Sequence, residues 1–317
     1  MHTRIADLFC GIGGIAEAIH HRSDCLHKDD GSRVGVFDRS HPQVVTAIDI
    51  DRSIASLYQQ HHGIVPRCST IESLERIAEG SSEGLDMWWM SPPCQPYTTR
   101  GSQRGALDSR SQALTRLIQL IPRELPRLIG LENVPAFAGS QHHQQLKRTL
   151  SAAGYQFKEY TVCPTDIGIP MRRKRFYLLA KRGGKPLIDI STAKRQRPLA
   201  EFIDDSCWKD DSLTVPPDAV RHYQSALNII EVGNHDATTA CFTSAYGKSP
   251  IRSGSYLRCP TRNSVRRFSP NEITTLMGFR DEFFSATNLS QRSQYRLIGN
   301  SLAVPVVCEL LSVLLAG

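Results

Sequence analysis

Cys94 lies between prolines in a short run, residues 91–96, that reads Ser-Pro-Pro-Cys-Gln-Pro. The run follows an apolar, strand-like segment, Leu85–Met90. Because proline has no amide hydrogen to donate to a strand, the prolines end the strand and hold the thiol in a rigid loop. Most cysteines are buried apolar residues, but a rigid and reachable thiol suits nucleophilic attack. The run therefore predicts that Cys94 is a covalent nucleophile.

A glycine turn follows the first apolar segment, Arg4–Phe9, where residues 7–14 read Asp-Leu-Phe-Cys-Gly-Ile-Gly-Gly. Glycines between a strand and a helix let the backbone approach a bound cofactor, although an ordinary tight turn is the alternative. Asp49 ends the next strand-like segment, Val44–Ile50, where a carboxylate can accept hydrogen bonds from ribose hydroxyls. Its distance from the glycine turn exceeds the usual spacing of roughly 20 residues. The spacing therefore indicates an insertion around Cys25–Gln43.

Further polar residues follow the strand-like segment Leu128–Leu131. Glu132 comes directly after it, where a partly buried carboxyl can act as a general acid; a surface or helix-capping acid is the alternative. Arg173 and Arg175 alternate, so on a strand they would share one face. Their guanidinium groups suit carbonyl oxygens and phosphates, although they could also form a solvated surface. Glu132 and the two arginines are therefore candidate catalytic residues.

Strand-like and helix-like segments alternate up to Arg182, with helix-like segments at Ile15–His21, Ile54–Gln60 and Ser111–Ile121. This alternation predicts a Rossmann-like α/β fold, a mostly parallel sheet with helices on both faces. Ligands of such sheets bind beyond the carboxyl ends of the strands. Since the polar motifs come directly after strands, we expect them to converge on one cleft.

The alternating pattern weakens after Arg182 and gives way to loop-rich sequence until about Arg267. A helix start is predicted at residues 269–272, Ser-Pro-Asn-Glu, and a final apolar helix at Val304–Leu315. We therefore predict a catalytic, cofactor-binding domain over residues 1–182 and a smaller target-recognition domain over 183–267. Residues 268–317 are predicted to complete the catalytic domain.

The composition is that of a soluble globular protein, with 40% hydrophobic and 22% charged residues among 317. No apolar run approaches the roughly 18 residues that a membrane span needs. The first residues lack the features of a signal peptide, so a cytoplasmic location is expected. The nine cysteines show no spacing typical of zinc sites, which predicts that most of them are buried, inert thiols and that no metal is bound.

The net charge of +7 favours a polyanionic partner. Residues 251–267 hold five arginines and no acid, and residues 172–175 read Arg-Arg-Lys-Arg. A solvated basic face is the alternative to a nucleic-acid-binding surface. The charge pattern alone does not choose between them.

Taken in order, these motifs resemble those of the cytosine-5 DNA methyltransferases over nearly the whole chain. They are Phe-Cys-Gly-Ile-Gly-Gly at 9–14, Pro-Pro-Cys-Gln at 92–95, Glu-Asn-Val at 132–134, Arg-Lys-Arg at 173–175 and Gly-Asn-Ser at 299–301. Finer details resemble the branch that methylates tRNA, the aspartate-tRNA cytosine-5 methyltransferases. The mark of that branch is Cys-Phe-Thr at 241–243, which by itself would indicate a core strand.

The resemblance implies an enzyme that uses S-adenosylmethionine. It implies that Cys94 attacks C6 of cytosine, that Glu132 contacts N3, and that Arg175, with Arg173, contacts O2. It assigns cofactor binding to Phe9, Ile12, Gly13, Gly14, Asp49, Ile50, Ile71, Glu72, Ser91, Asn300 and Ser301. It assigns substrate binding to Gln95, Tyr97, Thr98, Cys241, Phe242, Thr243, Tyr246 and Arg252.

The substrate implied by the resemblance is cytosine 38 in the anticodon loop of tRNA-Asp, with tRNA-Glu as a further candidate, methylated by a monomer. The alternatives are a DNA methyltransferase of a restriction-modification system and a catalytically silent nucleic-acid-binding protein. Ser91 and the Cys-Phe-Thr element favour tRNA over DNA. The presence of Cys94, Glu132 and Arg175 argues against a silent protein.

Some positions depart from the pattern of that branch. Residues 252–254 read Arg-Ser-Gly where the branch has Gly-Thr-Gly, and Met171 and Arg172 replace a more polar start of the arginine motif. The early insertion is also unusual. None of these departures removes a predicted catalytic residue.

Overall fold

The computed structural model describes residues 2–25, 42–78, 84–94, 97, 111–192, 195–234, 236–259 and 264–316, with the backbone alone for 22–25. The described chain divides into two compact units. The first comprises Met1–Val162, Lys174–Ile190 and Val307–Gly317, and the second comprises Cys163–Arg173 and Ser191–Val306. Residues 268–306 thus pack with the second unit, whereas the sequence prediction grouped them with the catalytic domain. Most of the predicted insertion lies outside the described residues.

The described strands are β1 (Arg4–Leu8), β2 (Gln43–Asp49), β3 (Arg67–Cys68), β4 (Met87–Met90), β5 (Leu128–Asn133), β6 (Gln156–Val162), β7 (Arg175–Lys181), β8 (Asn228–Glu231), β9 (Ser255–Cys259) and β10 (Ser264–Arg267). Within the described part of the first unit, seven of them form one sheet in the order β3-β2-β1-β4-β5-β7-β6. The strands β1 to β5 pair in parallel, and β7 is antiparallel to both β5 and β6. The predicted Rossmann-like, mostly parallel α/β fold is confirmed.

The described helices are α1 (Gly14–Cys25), α2 (Ala55–His62), α3 (Gln112–Glu124), α4 (Gln141–Ala152), α5 (Pro217–His222), α6 (Pro270–Leu276), α7 (Gln291–Gly299) and α8 (Val304–Leu315). In α3, Leu114, Leu117 and Ile121 recur at helical spacing and are buried. They join Leu146 and Leu150 of α4 in one core cluster with the sheet. This apolar layer fixes the sheet whose ends carry the predicted site.

The second unit contains a three-stranded sheet in the order β10-β9-β8 within its described residues. Its helix α6 begins with a capping box, as the sequence predicts: the Ser269 hydroxyl accepts the Glu272 amide, and the Glu272 carboxylate accepts the Ser269 amide at 2.7 Å. The same carboxylate binds the buried guanidinium of Arg266 at 2.7 Å. These contacts join the end of β10 to the start of α6.

One described segment, Gln291–Leu315, is long and apolar enough to cross a membrane by composition. It is divided between α7 and α8, and 67% of its most apolar stretch is buried inside the protein. Core helices commonly pass the same test, so the segment is weak evidence for a membrane span.

Candidate active site

The carboxyl ends of β1, β2, β4 and β5 bring predicted site residues into one row. In the sheet register, Leu8 lies opposite both Ile48 and Met90, and Met90 lies opposite Leu131. The amide of Ser91 continues this register by donating to the Leu8 carbonyl at 3.2 Å. The next residue along each strand is therefore part of the same row, and these residues are Phe9, Asp49, Ser91 and Glu132.

The glycine turn after β1 has left-handed backbone at Phe9, Gly11 and Gly13, with φ of 62°, 51° and 87°. Residues other than glycine rarely adopt this backbone region, so Phe9 is held in a strained conformation. A Cβ added to Gly13 would lie 2.2 Å from Nε2 of His62, whereas one added to Gly11 would meet nothing within 4 Å. The turn is thus packed on one side against α2 and open at Gly11, as a cofactor-binding turn requires.

The carboxylate of Asp49 is fixed by backbone amides: Gly11 donates to Oδ2 at 2.9 Å and Asp51 donates to Oδ1 at 2.8 Å. Burial raises the pKa of Asp49. A carboxylate has about four acceptor sites, so at least one lone pair remains that can accept a ribose hydroxyl. The neighbouring side chain, Ile50, is 70% exposed and offers apolar surface to a flat base. These features fit the nucleoside half of S-adenosylmethionine.

A further feature that fits a ligand is the Ser91 hydroxyl, whose oxygen is buried and has no hydrogen-bond partner among the described residues. The other residues of this unit that were predicted to bind the cofactor differ in their exposure to solvent. Ile12 and Ile71 are buried core residues, whereas Glu72 is exposed. Gly14 is the first residue of α1. The predicted contacts of these residues remain predictions.

The loop that carries Cys94 is held by hydrogen bonds as well as by its prolines. The Asn133 amide nitrogen at the end of β5 donates to the Pro92 carbonyl at 3.2 Å. The Tyr97 backbone amide donates to the Cys94 carbonyl at 2.9 Å. The Cys94 thiol itself is half-buried. Asn133 therefore positions the thiol loop, a role that the Glu-Asn-Val motif did not reveal by residue type alone.

Glu132 and Arg175 form an ion pair at the same edge of the sheet. Because β7 runs antiparallel to β5, it begins where β5 ends, and Arg175 is its first residue. The Arg175 Nε lies 3.1 Å from Glu132 Oε1, and the two side chains are only 17% and 12% exposed. A carboxyl group and a guanidinium this close can face neighbouring atoms on one edge of a pyrimidine ring, such as N3 and O2.

Arg173 requires a correction. It precedes β7, so the prediction that it shares a strand face with Arg175 is wrong. Its side chain is 4% exposed and donates to the carbonyls of Phe242 at 3.0 Å, of Gly299 at 3.1 Å and of Ser301. Buried carbonyls need such donors, and a guanidinium can serve several at once. Arg173 therefore joins the Cys-Phe-Thr and Gly-Asn-Ser motifs within the second unit.

These two motifs also touch directly. A Cβ on Gly299 would lie 2.2 Å from the Thr243 carbonyl carbon and the Ser244 nitrogen, so glycine is needed for this close backbone approach. Ser301 is mostly buried and Asn300 is exposed at the end of α7. Their predicted role toward the cofactor stays a prediction.

The predicted recognition residues fall into different environments. Phe242 and Tyr246 are each 1% exposed, and the Tyr246 hydroxyl donates to the Ser255 carbonyl at 2.6 Å. Direct substrate contact by these two side chains is therefore wrong, and they form the aromatic core of the second unit. Half-buried and exposed positions remain candidates: Tyr97, Cys241, Thr243 and Arg252. Gln95 and Thr98 lie outside the described residues.

The family model of the C-5 cytosine-specific DNA methylases matches residues 3–316. This chain belongs to that family. The resemblance that the motifs indicated is thereby confirmed.

Full-length relatives of this methylase carry both kinds of substrate in their names. The human tRNA (cytosine(38)-C(5))-methyltransferase is 26% identical, and the match covers 98% of each chain. A Dictyostelium discoideum DNA (cytosine-5)-methyltransferase is 28% identical over 86% of this chain and 88% of its own. The crystal structure of Schizosaccharomyces pombe Dnmt2 methyltransferase aligns with a TM-score of 0.83 at 26% identity, covering 99% and 98% of the two chains.

A buried carboxyl, Asp7, lies two residues before the glycine turn of this methylase. Its Oδ2 accepts the Tyr58 hydroxyl at 2.9 Å. Burial raises the pKa of Asp7 to about 7, the Tyr58 hydrogen bond opposes this, and the nearby Asp49 charge adds to it. The sequence motif contained Asp7, but its residue type did not reveal that it would be buried beneath the turn.

Replacing Asp7 by asparagine is expected to remove a pH dependence of stability. In the unfolded chain Asp7 ionises near 3.8, whereas the folded protein keeps its proton until about pH 7. The folded state thus binds more protons between these values, and wild-type stability falls as pH rises through the window. The loss has an upper bound of about 4 kcal/mol at 1.36 kcal/mol for each pH unit. Chemical denaturation from pH 5 to 8 measures it.

The quantity to compare is the unfolding free energy of Asp7→Asn minus that of wild type. This difference should increase as the pH rises. Asp218→Asn is the control because its side chain is 89% exposed. A difference for Asp7→Asn that is as flat as that of the control would contradict the prediction.

Proposed function

We propose that this methylase transfers a methyl group from S-adenosylmethionine to C5 of a cytosine in tRNA, through a transient bond between Cys94 and C6. The observation that carries the proposal is the row at the end of the sheet. It places the Asp49 carboxylate, the Ser91 hydroxyl and the Glu132–Arg175 pair along one edge, with the Cys94 loop directly after Ser91. Such a row offers a nucleoside site next to a nucleophile.

The chemistry follows from the weak reactivity of cytosine C5. The Cys94 thiolate bonds to C6, and the electron pair of the C5–C6 double bond then makes C5 nucleophilic. Glu132 binds and protonates N3, and Arg175 donates to O2, so that both neutralise charge that develops on the ring. S-adenosylmethionine, when bound, supplies the methyl group from its sulfonium. The C5 proton then leaves to solvent, the C6–S bond breaks to regenerate the Cys94 thiolate, and the N3 proton returns to Glu132.

The cofactor is proposed to lie over the glycine turn. Gly11 is open there, Ile50 is exposed and the Ser91 hydroxyl is buried without a hydrogen-bond partner in the described part of the chain. When the cofactor binds, Asp49 would accept its ribose hydroxyls, Ile50 would offer apolar surface to its base, and Ser91 would offer its hydroxyl. No metal takes part in this proposal. A monomer in the cytoplasm likewise remains our expectation.

The substrate we favour is tRNA, and within it cytosine 38 of tRNA-Asp, with tRNA-Glu as a further candidate. A base in an anticodon loop is already unpaired, whereas a duplex base must be flipped at a cost of a few kcal/mol. The human relative is named for cytosine 38 of tRNA. DNA is the second candidate because the Dictyostelium relative is named for DNA. A silent nucleic-acid-binding protein is the third.

The experiment that tests the substrate incubates the purified protein with radiolabelled S-adenosylmethionine and, separately, total tRNA and genomic DNA. Label is expected in tRNA, and bisulfite sequencing of tRNA-Asp is expected to place it at cytosine 38. Label found in DNA alone would overturn the choice of substrate. Label in neither nucleic acid, with binding intact, would favour the silent protein.

A further inference from the structure

A chain of hydrogen bonds links the Cys94 loop to two helices of the first unit. The Tyr97 hydroxyl lies 2.9 Å from Nδ1 of His142, at the start of α4. Nε2 of His142 lies 3.0 Å from the Thr115 hydroxyl of α3. We propose that His142 is a positioning residue that anchors the nucleophile loop through Tyr97, which rests on the proposed role of Cys94.

One arrangement of hydrogens satisfies the whole chain of contacts. The Thr115 hydroxyl donates to the Ser111 carbonyl at 3.4 Å, so its oxygen accepts from Nε2–H of His142. Nδ1 then carries no hydrogen and accepts the Tyr97 hydroxyl. Burial lowers the pKa of His142, which keeps the ring neutral and Nδ1 available as an acceptor.

Tyr97 and Asn133 hold the loop on opposite sides of Cys94. Asn133 holds the loop before Cys94, through the Pro92 carbonyl at 3.2 Å. Tyr97 holds it after Cys94, since its backbone amide binds the Cys94 carbonyl at 2.9 Å. The Tyr97 ring also packs edge-on against Phe137, with centroids 5.2 Å apart. The thiol is thus fixed from both sides, one held by β5 and the other by α3 and α4.

This geometry assigns Tyr97 a different role from the substrate contact that the resemblance implied. Its hydroxyl points to a side chain that is 1% exposed, so the polar atom is engaged inside the protein. A loop residue that is free to meet substrate would not need a buried acceptor. Tyr97 therefore serves the nucleophile by holding its loop.

The variants can be chosen to separate the links of the chain. Tyr97→Phe keeps the ring against Phe137 and removes the hydroxyl alone. His142→Leu removes both of its hydrogen bonds, whereas His142→Asn keeps an oxygen close to the position of Nδ1. We expect kcat to fall about tenfold or more in Tyr97→Phe and His142→Leu, because a small misplacement of a reacting group is costly. The KM values for tRNA and S-adenosylmethionine should stay within about twofold, and His142→Asn should recover most of kcat.

A second measurement needs no substrate. Iodoacetamide is expected to alkylate Cys94 at least about threefold faster in Tyr97→Phe and His142→Leu, because a looser loop exposes a half-buried thiol. Peptide mass spectrometry reports this rate with Cys308 as the internal reference. Tyr160→Phe is the matched control, since it removes the hydrogen bond from the hydroxyl of Tyr160, on β6, to the Ile188 carbonyl. It should change neither kcat nor alkylation.

Unchanged kcat and unchanged Cys94 alkylation in Tyr97→Phe would overturn the proposal. A raised KM for tRNA at unchanged kcat would also overturn it, in favour of direct substrate contact by Tyr97. Should His142→Leu not fold, Tyr97→Phe and His142→Asn decide the matter. A wild-type protein that methylates neither tRNA nor DNA would refute the proposed function, while the alkylation rates would still test the anchor.

Discussion

Replacing Cys94 by alanine is expected to lower turnover by at least about 10⁴-fold, the scale on which removal of a covalent nucleophile acts. Without the sulfur, C6 receives no electron pair and C5 stays a poor nucleophile, so the methyl group has no acceptor. Binding of tRNA and of S-adenosylmethionine should persist, because neither depends on that bond. Single-turnover rates with labelled cofactor, together with equilibrium binding, measure the two effects separately.

The control for this substitution is Cys308→Ala. Cys308 is also half-buried, and its thiol donates a weak hydrogen bond to the Ala18 carbonyl at 3.5 Å. It should leave turnover unchanged. Turnover of Cys94→Ala within tenfold of wild type would show that covalent catalysis by this residue is wrong.

A chemical trap tests the same bond directly. If the target cytosine carries fluorine at C5, methyl transfer leaves no proton to remove, and the bond between sulfur and C6 cannot break by elimination. Wild type should then accumulate a stable protein–RNA adduct that mass spectrometry detects at residue 94. Cys94→Ala should form none, and an adduct of equal yield in that variant would place the nucleophile elsewhere.

The positions of the strand ends could be read from the sequence because they depend on local signals. Apolar runs that end at prolines or acids mark where a parallel strand stops, and such ends share one edge of the sheet. Asp49, Ser91 and Glu132 follow from that rule, and the register places them in one row. The final helix α8 could also be predicted from local sequence, since most residues from Val304 to Leu315 are apolar.

Partners that are distant in sequence could not be read in this way. Alternation of Arg173 and Arg175 indicates one strand face only if both belong to the strand, and β7 begins between them. The carbonyls to which Arg173 donates lie 69 or more positions away, at Phe242, Gly299 and Ser301. A guanidinium that serves carbonyls leaves no pattern in the sequence around it.

The same limit explains the two aromatic residues of the recognition region. Phe242 stacks edge-on with Tyr246 and Phe268 inside the second unit. The family resemblance assigned substrate binding to Phe242 and Tyr246, but a resemblance in sequence does not report how side chains pack. Only the packing of the folded protein shows their role, and it places Phe242 and Tyr246 in the core of the second unit.

Replacing Glu132 by glutamine is expected to lower kcat by about 10²- to 10⁴-fold, the usual range for loss of a general acid. Glutamine keeps the shape of the side chain but cannot give a proton to N3, so negative charge on the ring meets no acid when Cys94 adds to C6. Arg175→Lys should lower kcat through the contact with O2, because an ammonium group cannot reproduce the paired N–H donors of the guanidinium there. Steady-state kinetics on tRNA should show lower kcat with little change in KM for S-adenosylmethionine.

Glu159→Gln supplies the matched control for this pair. Glu159 lies on β6 of the same sheet and forms an ion pair with Lys147 at 2.8 Å, but its strand position is not at the carboxyl ends that carry the site. Glu159→Gln should lower the free energy of unfolding and leave kcat unchanged.

The double variant Glu132→Gln with Arg175→Lys tests whether the two side chains act together. Its kcat should fall by less than the product of the two single reductions, because the side chains lie 3.1 Å apart and act on one ring edge. A kcat for Glu132→Gln within tenfold of wild type would remove N3 protonation by Glu132 from the mechanism, while leaving the Cys94 bond to be judged by its own trap.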